Sequence, residues 1–112
     1  MKGKNNMSIE NLTSSERAYL RGLANTLDAI FQLGKGGINE NFIKQIDDVL
    51  EVRELIKISL LETSEYTVKE AAEEICKATG AQSVQMIGRK LVLYRAAHDK
   101  DKRKITLPKS KK

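Results

Sequence analysis

The sequence has no tryptophan and only one cysteine, one histidine and one proline among 112 residues, and each shortage removes a class of function. A lone Cys76 forms no internal disulfide, which fits a reducing compartment rather than a stapled secreted fold. It falls on the apolar stripe of a helical segment, where a buried structural thiol is expected. His98 and Cys76 are too few to make a Cys/His cluster with zinc spacing. Ser14 and Ser15 have no histidine near them in the chain. Asp47-Asp48 and Glu73-Glu74 are sequence neighbours whose side chains diverge around a helix. No enzyme activity, metal or cofactor is therefore expected. Five aromatic residues, Tyr19, Phe31, Phe42, Tyr66 and Tyr94, are poor material for a base-stacking platform. No apolar run reaches the length of a membrane span, and the polar N-terminus lacks the apolar core of a secretory signal. The reading is a cytoplasmic monomer with no membrane partner.

What the sequence has in excess is positive charge, +5 in all, and its distribution is uneven. Residues 99–112 hold seven Lys/Arg against Asp99 and Asp101, whereas residues 12–98 hold eleven basic against twelve acidic side chains. A polyanionic partner is suggested, but the charge does not by itself place the partner on the folded part. Three segments are expected: a flexible N-terminal stretch 1–11, a single domain over 12–98, and a basic flexible tail 99–112.

Within 12–98, capping signals and hydrophobic period mark the elements. Thr13-Ser14-Ser15-Glu16 and Thr67-Val68-Lys69-Glu70 are capping boxes, in which the Thr hydroxyl and the Glu carboxylate each accept an otherwise orphaned amide. Asn39 is a helix N-cap flanked by the staple pair Ile38 and Ile43. The first helix is expected to bury Ala18, Leu20, Leu23, Ala24 and Leu27. Strands are expected over 29–33, 55–61, 83–87 and 90–95, the last two joined through Gly88-Arg89 as a type II′ hairpin turn. The order α-β-α-β-α-β-β, with helices as crossovers between parallel strands, predicts an α/β two-layer sandwich with a mixed four-stranded sheet.

The most specific local feature is Gly34-Lys35-Gly36-Gly37, between a strand end and a helix start. Its spacing fits neither a Walker loop nor a dinucleotide fingerprint. It fits a G-x-x-G loop, whose glycines let a sugar-phosphate backbone approach while Lys35 supplies a cation. If the first helix runs antiparallel to the strand after it, Arg17 and Arg21 flank this loop. If the first and third strands are parallel, Arg89 and Lys90 join them. Arg53, Lys57 and Arg95 map to the opposite end and are weaker candidates.

Four blocks in order then resemble a known family: Leu12-Thr13-Ser14 with Arg17-Ala18-Tyr19-Leu20-Arg21, the glycine loop, Arg53-Glu54-Leu55-Ile56-Lys57, and Ile87-Gly88-Arg89 with Leu91-Val92-Leu93-Tyr94-Arg95. Together they resemble the CRM (chloroplast RNA splicing and ribosome maturation) domain in its single-domain, YhbY-like bacterial form. The resemblance implies a fold similar to the C-terminal domain of translation initiation factor three. It also implies a non-catalytic protein that binds ribosomal RNA of large-subunit precursors during ribosome assembly, with Gly34 to Gly37 as the RNA-contact loop. Two alternatives stand beside it, a protein-interaction adaptor on the ribosome and a small phosphate- or nucleotide-binding domain.

Overall fold

The computed structural model describes residues 12–107. The expected N-terminal segment 1–11 and the end of the basic tail, 108–112, lie outside the described residues. Both threonine capping boxes form. The Thr13 hydroxyl accepts from the Glu16 amide at 3.1 Å and opens α1, Ser14–Ala24. The Thr67 hydroxyl accepts from the Glu70 amide at 3.1 Å and opens α3, Val68–Thr79, which Gly80 closes in the left-handed conformation. The Asn39 side chain accepts from the Phe42 amide at 2.8 Å and starts α2, Glu40–Arg53.

The strands are β1 (Phe31–Leu33), β2 (Leu55–Leu60), β3 (Gln82–Ile87) and β4 (Lys90–Tyr94), in the spatial order β1-β2-β4-β3. β1 pairs parallel with β2, and β4 lies antiparallel between β2 and β3. β1, β2 and β3 therefore all point the same way, as helical crossovers require. β2 and β3 are not neighbours, because the returning hairpin strand fills the place between them. Gly88 takes φ +56° while Arg89 keeps a negative φ, which fits the expected type II′ turn.

Alternation along the strands divides the core in two. Leu33, Ile56, Ile58, Leu60, Leu91 and Leu93 face α2 and α3 and pack with Ile46, Leu50, Ala71 and Ile75. Each such buried aliphatic side chain contributes about 1.5–3 kcal/mol, so this face anchors the fold. Leu55, Val84, Val92 and Tyr94 point the other way, against Leu20 and Ala24 of α1. The α/β architecture and mixed sheet are as expected, but α1 packs alone on the second face, so the expected two layers become three. Ala18 and Leu23, expected in the core, are exposed.

The expected free tail from residue 99 does not hold for residues 99–107. A 3-10 turn at Lys100–Lys102 carries the chain back over the α1 face, where Ile105 and Leu107 pack on the second core. Two acidic side chains fasten it. The Glu54 carboxylate accepts from the amides of Ala97 (2.7 Å), Lys104 (2.7 Å) and Ile105 (2.9 Å), and Glu51 accepts from those of His98 (2.8 Å) and Asp99 (2.9 Å). Glu54 is fully buried and, among the described residues, the one non-glycine with positive φ, +66°. A left-handed backbone costs about 1–2 kcal/mol, which three charge-assisted hydrogen bonds offset.

Candidate nucleic-acid interface

The shared direction of β1, β2 and β3 puts the loops that follow them at one end of the sheet. Across that end the Leu61 amide donates to the Leu33 carbonyl at 2.9 Å, and the Leu60 amide to the Arg89 carbonyl at 2.7 Å. The glycine loop and the Gly88-Arg89 turn are thus two strand spacings apart, about 10 Å.

The three loop glycines have different reasons to be glycine. At Gly34 a Cβ would stand 3.1 Å from Leu61 Cδ1 and 3.3 Å from Thr63 Oγ1, so the close approach of the loop after β2 requires its absence. Gly37 has φ +72° and donates its amide to the Gly34 carbonyl at 3.1 Å, closing the turn, with the Tyr66 ring beside it. Gly36 has neither constraint: open space surrounds the position of its missing Cβ, and its φ is not left-handed. Its bare backbone faces outward, next to the exposed Lys35. A shallow groove of about 250 Å³ runs beside the loop, lined by the amide side chains of Gln32, Asn39, Asn41 and Gln45. Glu40 already stands in the first turn of α2, so attraction for an anion here falls to Lys35 more than to the helix dipole.

Arg89 and Lys90 are exposed at this same end. Among the described residues, Lys35, Lys57, Arg89 and Lys90 make no ion pair; the pairs formed are Lys44–Asp48, Arg95–Asp47, Arg95–Glu51 and His98–Glu51. Lys35, Arg89 and Lys90 are exposed to a partner, and Lys57 is half-buried.

The expected position of Arg17 and Arg21 is corrected. The Leu12 amide, just before α1, donates to Gln82 Oε1 at 2.8 Å, at the sheet end opposite the glycine loop. From there α1 crosses β3, β4 and β2, and Asn25 at its C-terminus lies beside Lys57 and Lys90. The helix therefore approaches the loop end with its C-terminus, not its N-terminus. Leu20 and Ala24 set this course by packing on Leu55, Val84 and Val92, and the link 25–30 carries the chain back to the start of β1. Arg17 lies one turn from Thr13, far from the loop, and Arg21 sits closer to Asn25.

Lys57, expected at the opposite end, stands mid-strand in β2 and lines an open recess with Lys90. Strand alternation held the missed signal, since Lys57 and Ser59 are the polar positions of an otherwise apolar β2. Arg95 is structural. It is buried, and its guanidinium donates to the Asp47 carboxylate, to the Thr79 carbonyl at 2.9 Å and to Glu51 at 3.4 Å. Tyr94 is buried in the second core, and Cys76 packs against the first, where burial pushes its thiol up to about 11. Neither is poised for chemistry. Among the described residues no three His, Cys, Asp or Glu side chains gather as metal ligands, and no helix is long and apolar enough to cross a membrane.

Known proteins similar to this chain share one family and one fold. The family model for the CRS1/YhbY (CRM) domain matches residues 12–95. The Bacillus subtilis protein named "Probable RNA-binding protein YqeI" is 45% identical over 97 residues, covering 87% of this chain and 99% of that protein. A Haemophilus influenzae "RNA-binding protein" is 34% identical over 98 residues, covering 88% and 96%. The solution structure of Staphylococcus aureus SAV1595, for which RNA binding has been suggested, superposes with a TM-score of 0.69 at 49% identity, covering 88% of this chain and all of that one. On the family match and on the identity to these relatives, the chain belongs to the CRS1/YhbY (CRM) domain family.

Proposed function

We propose that this protein is a non-catalytic, monomeric RNA-binding protein that holds ribosomal RNA of large-subunit precursors during ribosome assembly. The RNA backbone lies across Gly34 to Gly37, with Lys35, Arg89 and Lys90 on its phosphates. The observation that carries this reading is the state of the glycine-loop end. Its cations have no acidic partner among the described residues, and Gly36 leaves backbone open where neither packing nor φ calls for glycine. Family membership supports RNA as the ligand class. An open, shallow groove favours a polymer backbone over an enclosed mononucleotide.

The test is the salt dependence of binding to a structured large-subunit RNA fragment. Removing one phosphate contact lowers the slope of log affinity against log salt by about one. Lys35→Ala is expected to do this and to weaken binding to many sequences alike. Unchanged affinity and slope would remove the loop from the interface.

A further inference from the structure

Helix α1 covers only part of its face of the sheet. Strand register arranges that face in rows. Leu55, Tyr94 and Gln82 form the row beneath α1. The next row is Lys57, Val92 and Gln85, and the last, nearest the glycine loop, is Gln32, Ser59, Lys90 and Ile87. The last row is open apart from the half-buried Ser59, and in the middle row Val92 is buried beneath α1 while Lys57 and Gln85 stay half-exposed. The two rows carry two lysines with no ion pair among the described residues, and no carboxylate. Within them is a recess of about 150 Å³ lined by Asn25, Lys57, Gln85, Ile87, Lys90 and Val92.

We propose that this recess is a second RNA-contact site, which takes one unpaired nucleotide from a single-stranded segment. The proposal rests on the RNA-binding reading above and extends it to residues that reading does not use. Asn25 and Gln85 each offer a donor and an acceptor, the complement of a base edge. Lys57 and Lys90 flank them as phosphate partners. Ile87, 60% exposed, offers an apolar surface to the face of the base without an aromatic ring. A duplex hides its base edges, so an amide-lined recess suits a splayed base of a loop or single strand. The site is continuous with the glycine loop, because Gln32 belongs both to the outer row and to the loop groove. The row spans three strand spacings, about 14 Å, and gives one strand a path from Lys35 to Lys90.

The experiment uses the full chain with fluorescent A, C and U homopolymers of about ten nucleotides, within the range one small domain engages. Lys57→Gln with Lys90→Gln is expected to lower affinity roughly tenfold and the salt slope by about 1.4, two single-strand phosphate contacts. Gln85→Ala is expected to change the preference among homopolymers by about fivefold at unchanged slope. Lys57 is half-buried, so Lys57→Arg controls for folding and should restore binding, and the exposed Lys90→Gln alone should give half the change in slope. If the lysine variants bind like wild type while Lys35→Ala weakens binding, the recess is not a site and the loop reading stands. If they weaken binding while Lys35→Ala does not, the loop reading falls and the recess stands. An unchanged preference in Gln85→Ala would remove the base from the recess, and wild-type protein that binds none of the RNAs would end both.

Discussion

The two ends of the sheet use charge in opposite ways. At the end where β4 leaves the sheet, Arg95 is buried against Asp47, Glu51 and the Thr79 carbonyl, and Glu54 is buried against three backbone amides. These two buried charges find their partners inside the fold, and together they join α2, α3, β4 and the C-terminal segment. At the glycine-loop end, Lys35, Arg89 and Lys90 are exposed and unmatched among the described residues. Arg95 and Glu54 are thus committed to the fold, whereas Lys35, Arg89 and Lys90 stay open to a partner. Side chains of one type hold the structure or await a partner according to what surrounds them.

The division can be broken most forcefully at Arg95. Arg95→Ala leaves Asp47 and the Thr79 carbonyl without their buried partner and is expected to cost about 3 kcal/mol, read by urea unfolding. RNA affinity of the folded protein should stay at wild type. Weaker RNA binding without lost stability would erase the distinction between the ends. Glu54→Gln replaces an all-acceptor carboxylate with a group that cannot satisfy all three amides, at a cost of about 2 kcal/mol. A chain ending at His98 should show a comparable deficit, since it lacks the Lys104 and Ile105 amides and uncovers the second core.

Acid titration probes the same end. Burial pushes the Glu54 carboxyl up, but the Ala97, Lys104 and Ile105 amides and the Arg103 charge outweigh it, so its pKa lies below the usual 4.5. Glu51 is likewise lowered, first by the Asp99 and His98 amides. Groups with depressed folded pKa values stabilise fully above their unfolded values. That contribution is lost as pH falls below 4.5 through the folded ones. Unfolding measured against pH should therefore decline steeply in this acid window, and less steeply in Glu54→Gln.

The smallest effects on stability lie at the glycine-loop end. Gly37→Ala places a Cβ on a left-handed backbone and should cost about 1–2 kcal/mol. Gly36→Ala meets open space and should change stability by no more than about 0.5 kcal/mol while weakening RNA binding. Equal thermal losses in the two variants would show that the loop is built for folding alone.

Local chemistry explains why so much of this was legible. A capping box needs four consecutive residues, so Thr13 and Thr67 announce their helices without help from the rest of the chain. Alternation at Ile56, Ile58 and Leu60 defines one face of β2, and crossover helices fix the common direction of β1, β2 and β3. The glycine loop and the Arg89 turn therefore fall where the sequence suggests. Non-local packing explains the rest. The course of α1 depends on which side chains Leu20 and Ala24 meet across the sheet, so neither its direction nor the place of Arg17 is legible in the sequence. Glu54 looks like one more surface charge after Arg53, and nothing beside it shows that residues 97–105 return to its carboxylate. The signal for that return was the alternation of Ile105 and Leu107 inside an otherwise basic segment.

The most direct test of the account is an amide chemical-shift map of the full chain titrated with a large-subunit ribosomal RNA fragment. RNA held at the glycine-loop end gives the largest shifts at Gly34 to Gly37 and at Arg89 and Lys90, with residues 97–105 unmoved. Shifts confined to residues 97–107, with a silent glycine loop, would contradict it.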